Sequence, residues 1–434
     1  MGFFRNVVSV FATTAIALPV SVASNMILAR WLSMSDRGLY AVLTTFSFMF
    51  YLFTQLGWAE AIIFRTRRAG VSARHAFATG LLANLGVLAV SFGACLLVRE
   101  PLSSRLLGDV SASAFLMAAA TGPLLTLGDF LRGVARAIDR FDLHNQYLLG
   151  QSFGILAGLF VALRGGGTLE AALAVNLLVQ LALALVFGAR VGSLVGFEWR
   201  LDLTEAGNSL AYAGSLWIQY IAINYHERLP LILLSSLGVA PSQIALYAVG
   251  TSVVSPLQLL PGALGTVMLP RLSEAAESEA GDFTAGVVRI TTWLMVLGAL
   301  ALAVVGTVAI PLLFGREYGA AVTPFLVLLP GLTAATVSRL LARYFAAVGR
   351  PHALLGVMFA ALTLNVLLNL FLIPRWGILG AASSSLLSYS FEAVATVAMF
   401  VSASGQTLRA TLLPSAADVA PHWARLRERV LSRR

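Results

Sequence analysis

Three consecutive ionisable residues, His226, Glu227 and Arg228, form the densest polar cluster within any long apolar run of this 434-residue chain. Ionisable side chains in lipid-embedded helices are costly and usually face the bundle interior or water. The planar guanidinium of arginine engages two phosphate oxygens at once, so Arg228 is a candidate phosphate ligand. Glu227 and His226 are candidates to balance its charge or to carry a coupling proton. The alternative is that the Arg228 side chain extends to the outer surface of the membrane that the helix spans, where it pairs with Glu227.

Further charged residues lie toward the ends of two other apolar runs. Arg339 and Arg343 are one helical turn apart, and Asp129 precedes Arg132 and Arg136 at a similar depth in an earlier run. These residues predict a cationic vestibule that gathers anionic head groups, with Asp129 as a coupling or charge-balancing residue. The alternative is that they anchor helix ends at the membrane interface.

Three more charged residues complete the candidate set. Arg30 is a candidate substrate ligand, and with Arg37 it is a candidate outer gate, although anchoring of helix boundaries is an equal alternative. Glu392, in the last apolar run, is a further candidate for coupling or charge balance. We predict no catalytic residue, no metal site and no cofactor.

The composition indicates that lipid is the solvent for most of the chain. Hydrophobic residues make up 58% and charged residues only 11%, against about 25% charged residues in soluble domains. All 29 basic residues are arginine, which excludes a P-loop lysine and a Schiff-base lysine. The single cysteine, Cys95, excludes an intramolecular disulfide and is expected to pack among apolar side chains.

Twelve apolar runs have the length that crosses a bilayer, about 20 residues each. We predict membrane-spanning helices near residues 7–29, 38–58, 76–98, 111–136, 143–163, 168–189, 209–235, 243–269, 286–313, 319–342, 351–374 and 377–401. With the N-terminus in the cytoplasm, 20 arginines lie in cytoplasmic segments and seven on the opposite side. Among the 20 are Arg65, Arg67, Arg68 and Arg74, between the second and third spans. This bias predicts that both termini are cytoplasmic.

An internal repeat divides the chain into two halves. Leu39-Tyr40-Ala41-Val42 recurs as Leu246-Tyr247-Ala248-Val249 at an offset of 207, and Gly167-Thr168-Leu169-Glu170-Ala171-Ala172 corresponds to Gly377-Ile378-Leu379-Gly380-Ala381-Ala382 at an offset of 210. Six spans per half give both halves one orientation. We therefore predict an all-α polytopic membrane protein, with two parallel six-helix repeats around a central cavity.

The predicted division follows from that repeat. The first half covers 1–190, a cytoplasmic connection covers 191–208, the second half covers 209–402, and a basic cytoplasmic tail covers 403–434. Such halves indicate a transporter that alternates access by rocking, and a scaffold without transport is the alternative. A membrane enzyme of glycan assembly would need a sizeable outer loop with catalytic carboxylates, and the connections are too short.

Several stretches resemble the polysaccharide flippases of the multidrug/oligosaccharidyl-lipid/polysaccharide exporter superfamily, which include O-antigen and exopolysaccharide flippases. These stretches are Ala29-Arg30-Trp31-Leu32, Gly38-Leu39-Tyr40-Ala41, Glu227-Arg228-Leu229-Pro230, Leu269-Pro270-Arg271-Leu272-Ser273, Leu312-Leu313-Phe314-Gly315, Ala347-Val348-Gly349-Arg350 and Asn365-Val366-Leu367-Leu368-Asn369. Two positions depart from the family pattern: Glu227 replaces a common aspartate, and Ala245 replaces a common glycine.

The resemblance implies a polyprenyl-pyrophosphate-linked oligosaccharide as cargo, moved from the cytoplasmic to the outer leaflet of the bacterial inner membrane. It also implies membrane lipids, a polysaccharide polymerase and chain-length machinery as partners, and no nucleic acid. The alternative within the superfamily is a cation-coupled drug exporter. Such exporters typically carry an acid in the first span, and residues 7–29 contain none.

The C-terminal tail has a short amphipathic pattern. Trp423, Leu426 and Val430 alternate with three arginines, Arg425, Arg427 and Arg429. This pattern predicts an interfacial helix on anionic lipid, and a solvated tail is the alternative.

Overall fold

The computed structural model describes residues 2–107, 110–196, 198, 200–258, 261–262, 264, 268, 272, 277–350 and 352–413. Within these residues the regular secondary structure is entirely helical. This agrees with the predicted class, because a helix satisfies every backbone polar group inside its own segment and can therefore cross lipid.

The described residues form fifteen α-helices. Their bounds are α1 Gly2–Trp31, α2 Met34–Thr54, α3 Trp58–Arg67, α4 Ala73–Leu97, α5 Arg99–Arg105, α6 Ala112–Ala137, α7 Phe141–Leu163, α8 Leu169–Val195, α9 Leu203–Ser236, α10 Pro241–Val254, α11 Glu277–Phe314, α12 Val322–Ala347, α13 Leu355–Trp376, α14 Ile378–Ser404 and α15 Leu408–Leu412. Short 3₁₀ helices cover Ser255–Gln258 and Arg316–Ala321.

Ten helical segments of the described chain are long and apolar enough to cross a membrane. They coincide with ten of the twelve predicted spans. The predicted spans at 209–235 and 243–269 fall on α9 and α10, which are not among the ten. α9 is 34 residues long, but polar residues such as Gln219, Asn224 and His226 lower its hydropathy. The chain is thus an all-α polytopic membrane protein, as predicted.

The second predicted span, 38–58, is interrupted in the structure. α2 ends at Thr54, and α3 begins at Trp58 after a turn in which Leu56 and Gly57 have φ of 46° and 75°. Glycine adopts this left-handed conformation without steric cost. The hydropathy pattern does not reveal the break because the residues on both sides of it are apolar.

Side-chain caps fix the start of several helices. The hydroxyls of Ser33, Ser72, Ser111 and Thr168 each accept a backbone N–H of the first turn. Asp202 does the same for α9, where the backbone N–H of Glu205 donates to its carboxylate and lowers the pKa of Asp202. Each cap satisfies a donor that the helix leaves without an internal partner.

The helices divide into two compact units. Unit 1 contains residues 1–249, 311–318 and 373–378, and unit 2 contains 250–310, 319–372 and 379–434. The predicted boundaries at 190 and 209 refer to the sequence repeat, and they remain a prediction. α9 lies wholly within unit 1, together with the eight helices that precede it.

An aromatic core holds unit 1 together. Trp58, Phe77, Phe130, Tyr147 and Phe187 are buried in one apolar cluster to which α3, α4, α6, α7 and α8 contribute. α2 also approaches α10 so closely that a Cβ on Gly38 would lie 1.8 Å from the backbone oxygen of Pro241. Close helix contact through small residues is typical of membrane proteins.

Unit 2 has its own core, with polar groups buried in it. Tyr344 and Phe400 pack at right angles, with 5.0 Å between ring centres. On α13, Asn365 is fully buried, and its side-chain amide donates to the hydroxyl of Ser388 on α14 at 3.0 Å. Hydrogen bonds of this kind join helices where neither water nor an apolar driving force between them is available.

Candidate functional site

A polar cavity lies within unit 1, with a volume of about 180 Å³. Five helices line it: α2, α6, α7, α8 and α9. The lining residues are Thr44, Thr45, Ser47, Phe48, Thr121, Leu125, Gln151, Ile155, Asn176, Gln180 and Arg228. Most of them are polar and neutral, and among these described lining residues Arg228 carries the single charge. The cavity therefore offers hydrogen bonds and one cation to a ligand.

Two hydrogen bonds fix the position of α9 against α2. The indole N–H of Trp217 donates to the backbone oxygen of Leu52 at 2.9 Å, and the Tyr225 hydroxyl donates to that of Met49 at 3.3 Å. This contact brings the guanidinium carbon of Arg228 to 4.8 Å from the centre of the Phe48 ring. A cation over an aromatic face at this distance is attracted by the ring quadrupole.

The polar cluster seen in the sequence spreads around α9, because successive helical residues point about 100° apart. His226 is buried, with 3% of its surface exposed, Glu227 is half-buried and Arg228 is exposed. Only Arg228 of the three lines the cavity. The charge-balancing or coupling roles of Glu227 and His226 remain predictions.

A charged cluster lies beside the cavity in unit 1. The Asp129 carboxylate is 3.0 Å from Nη2 of Arg132, and the Arg132 guanidinium lies 5.4 Å from the centre of the Tyr147 ring. The Tyr147 hydroxyl donates to Oε1 of Gln180, a cavity residue, at 3.3 Å. The predicted coupling residue Asp129 is thus connected to the cavity through two side chains.

The other predicted cations are in unit 2. Nη1 of Arg339 donates to Oε1 of Gln258 at 2.9 Å, and Arg339 also interacts electrostatically with Glu392 and Tyr389 on α14. Arg343 is exposed. The structure therefore brings together one predicted substrate ligand, Arg339, and one predicted coupling residue, Glu392, while Arg343 lies one turn further along α12.

Arg30 has specific partners at a helix end. Its Nε and Nη2 donate to the backbone oxygens of Leu313 and Leu312, at 2.8 Å and 2.7 Å. Carbonyls in the last turn of a helix lack intrahelical donors, so Arg30 caps α11. This geometry favours the anchoring alternative for Arg30, and its substrate-binding role remains a prediction.

Arg37 is buried, with 3% of its surface exposed. Its Nη2 donates to Oδ1 of Asn25 at 2.8 Å, and its guanidinium lies 5.8 Å from the centre of the Tyr40 ring. These contacts tie α1 to α2. The predicted gating role of Arg37 remains a prediction.

Sequence reasoning missed the neutral residues of the cavity. Asn176 and Gln180 are four residues apart on α8 and so share a helix face, and Gln151 reaches the cavity from α7. Amides are uncommon in apolar spans and usually face other helices. The four-residue spacing of Asn176 and Gln180 within an apolar run was the sequence feature that could have identified them.

Some predicted features lie outside the described residues. They are the amphipathic pattern at Trp423, Leu426 and Val430, and the motif residues Leu269, Pro270, Arg271 and Ser273. In the described part of the chain, no group of three His, Cys, Asp or Glu side chains is arranged to hold a metal ion.

The described helices thus define a polytopic membrane protein with a polar cavity among five of its helices. Solved structures share this fold. An inward-facing multidrug resistance MATE family transporter of the MOP superfamily aligns with a TM-score of 0.70 at 12% identity, over 89% of this chain and 95% of that one. The lipid II flippase MurJ in an inward closed conformation also gives 0.70 at 12% identity, over 91% and 90%. A mutant of the Vibrio cholerae MATE transporter VcmN gives 0.60 at 14% identity, over 94% and 98%.

The chain belongs to the polysaccharide biosynthesis protein family, whose model matches residues 27–323. The resemblance to the polysaccharide flippases of this superfamily, inferred from short motifs, is thereby confirmed. No curated protein sequence matches the chain.

Proposed function

We propose that this protein moves a polyprenyl-pyrophosphate-linked oligosaccharide from the cytoplasmic to the outer leaflet of the bacterial inner membrane. The product would serve the assembly of a surface polysaccharide. The observation that carries the proposal is the polar cavity of unit 1, in which Arg228 is the charged lining residue, within a chain of the polysaccharide biosynthesis family.

The physical chemistry of such a cargo explains what the protein must supply. A pyrophosphate and a sugar chain cannot enter hydrocarbon without replacement of their water contacts. Neutral hydroxyls and amides replace those contacts for sugars, and arginine replaces them for phosphates. The polyprenyl tail needs no such replacement and stays in lipid. Transport then requires alternating access of the polar site to the two leaflets, which we assign to the two six-helix halves.

The predicted site residues take the following parts in this proposal. Arg228 binds the pyrophosphate, and Arg339, Arg343 and Arg30 are further cations for anionic groups along the path. Glu227, His226, Asp129 and Glu392 balance these charges or couple transport to an ion. Both termini are cytoplasmic, and the protein performs no chemical conversion. A polysaccharide polymerase and chain-length machinery would use the product.

A cation-coupled drug exporter is the second candidate, since solved MATE transporters share the fold. Two observations speak against it. α1 contains no acidic residue. Seven of the eleven residues that line the cavity carry a hydroxyl or an amide, whereas sites for drug-sized molecules are lined mainly by apolar and aromatic side chains.

Deletion of the gene tests the proposal directly. The lipid-linked oligosaccharide should still be made, should accumulate on the cytoplasmic leaflet, and the surface polysaccharide should be lost. Loss of the lipid-linked unit itself would favour a biosynthetic enzyme instead. An unchanged polysaccharide with increased drug sensitivity would favour the exporter.

A further inference from the structure

Three of the four hydroxyl groups that line the cavity already donate a hydrogen bond to a backbone oxygen. Thr44 Oγ1 donates to the backbone oxygen of Tyr40 at 2.7 Å, and Thr121 Oγ1 donates to that of Met117 at 2.7 Å. Ser47 Oγ lies within hydrogen-bond distance of two backbone oxygens, those of Leu43 at 3.0 Å and of Ala118 at 2.7 Å. A hydroxyl has one proton and two lone pairs, so each of these groups can only accept a hydrogen bond from a ligand.

The two amides of α8 are also partly committed. The Asn176 Nδ2 group donates to the Tyr40 hydroxyl and to the backbone oxygen of Ala172, which leaves its Oδ1 to accept. Gln180 Oε1 accepts the Tyr147 hydroxyl, which leaves its Nε2 to donate. The cavity wall thus presents mainly acceptors, with a smaller number of donors among them.

This pattern separates two parts of the proposed cargo. A pyrophosphate has acceptors and no donors at neutral pH, so a wall of acceptors repels it. A sugar ring carries several hydroxyls that both donate and accept. Arg228 is exposed, whereas Ser47 and Gln180 are 2% exposed, so the cation is more accessible from outside the protein than these two cavity side chains are.

We propose that this cavity is a sugar subsite, which holds the sugar ring directly linked to the pyrophosphate while Arg228 binds the pyrophosphate itself. The proposal rests on the proposed function and specifies which chemical group enters which part of the site. Sugar hydroxyls donate to Thr44, Ser47, Thr121 and Asn176, and they accept from Gln180. Phe48, Leu125 and Ile155 provide apolar surface for the C–H face of the ring.

The cavity has room for a single sugar ring. Its volume of about 180 Å³ is below the range of about 300–1,000 Å³ typical of sites for drug-sized molecules. The rest of an oligosaccharide must then lie outside this cavity. Specificity for the first sugar follows, because only that ring meets a fixed set of hydrogen-bonding groups.

The experiment measures the affinity of the purified full-length protein in lipid nanodiscs for matched probes. One probe is polyprenyl pyrophosphate without sugar, and three others carry one glucose, one galactose or one N-acetylglucosamine. The wild type should bind at least one sugar-bearing probe about tenfold more tightly than the sugar-free probe. Each lost hydrogen bond to a ligand hydroxyl should cost roughly fivefold in affinity.

The test variant is Thr44→Val with Thr121→Val, which removes two acceptors and nearly preserves side-chain shape. It should lose the preference for the sugar-bearing probe and bind the sugar-free probe within about twofold of the wild type. Thr333→Val with Thr336→Val is the matched control, since these buried hydroxyls of α12 also donate to carbonyls four residues earlier and do not line the cavity. The control should retain the preference.

A second variant tests the proposal independently, in case the first does not fold. Gln151 is half-buried and lines the cavity, so Gln151→Met should fold and should weaken only the sugar-bearing probe. Equal wild-type affinity for all four probes, or a preference that survives in both cavity variants, would overturn the sugar subsite and leave the proposed function standing. No binding of any pyrophosphate lipid by the wild type would overturn the proposed function itself, and this proposal with it.

Discussion

The guanidinium of Arg228 on α9 lies over the ring of Phe48 on α2, with 4.8 Å from its central carbon to the ring centre. Both residues line the same cavity. The ring attracts the cation through its quadrupole, and the N–H groups of a guanidinium bind phosphate oxygens. An aromatic side chain of one helix thereby orients the cation that another helix supplies.

The close approach of α2 to α10 gives the first prediction. Gly38→Ala should destabilise the protein by roughly 3 kcal/mol or more, because the new Cβ would lie 1.8 Å from the Pro241 backbone oxygen and a backbone atom cannot rotate away. Gly86→Ala on α4 is the control, since no atom lies within 4 Å of its Cβ position. Thermal unfolding in detergent measures both. A melting temperature equal to that of the control would refute the predicted clash.

The two hydrogen bonds from Arg30 to the end of α11 give the second prediction. Arg30→Ala should lower stability by about 1–3 kcal/mol, because the carbonyls of Leu312 and Leu313 lose charged donors. If Arg30 acts only as an anchor, the affinity for polyprenyl pyrophosphate should remain within about twofold of the wild type. A stable Arg30→Ala protein with a tenfold loss of affinity would instead assign Arg30 to the substrate site.

An ion pair between α3 and α9 gives the third prediction. Arg65 Nε donates to Oε1 of Glu205 at 2.7 Å, a second bond joins Nη2 to Oε2, and Glu205 is buried. Glu205→Gln and Arg65→Gln should each cost about 2 kcal/mol of stability, and the double variant should lose less than the sum of both. The exposed Arg68 offers a control, since Arg68→Gln should change little. Additive losses would show that the pair is not coupled.

The ion pair between Arg65 and Glu205 is an example of a contact that could not be predicted from the sequence. Arg65 and Glu205 are 140 positions apart, and the sequence accounts for Arg65 by the positive-inside bias alone. The spans themselves were predictable, for example 111–136 against Ala112–Ala137, because lipid thickness imposes a minimum length of apolar helix. Pairing across the bundle leaves no such local signature.

The candidate site likewise contains residues that the sequence reveals and residues that it does not. Arg228 was found because a charge stands out in an apolar run. Thr44, Ser47 and Thr121 were not found, because hydroxyls bonded to their own helix fit into apolar spans at little cost and change the hydropathy only slightly. The cavity arises only where five helices meet, and this meeting is a tertiary property.

The membrane orientation gives the fourth prediction. Twelve spans with both termini in the cytoplasm follow from the excess of 20 arginines over seven. A reporter fused after Asp109 should therefore be outside, and one fused after Glu198 should be inside. The same location for both fusions would contradict the predicted number of spans between them.

The last prediction concerns Arg228. If it binds the pyrophosphate, Arg228→Ala should abolish polysaccharide export without loss of protein from the membrane, and Arg228→Lys should restore only part of it. Lysine keeps the charge but lacks the planar group that binds two phosphate oxygens at once. Phe48→Leu should then reduce export by a smaller factor than Arg228→Ala, because the cation remains but is less well oriented.

Two other roles for Arg228 predict different results in the same assay. If the residue only neutralises Glu227, the double variant Glu227→Gln with Arg228→Gln should restore export, because no uncompensated charge would remain in α9. If it only extends to the interface, Arg228→Ala should export almost normally. Normal export by a well-expressed Arg228→Ala protein would remove this residue from the site. Failure of both Arg228→Ala and the double variant, with partial recovery by Arg228→Lys, is the combination that phosphate binding predicts and that neither of these two other roles predicts.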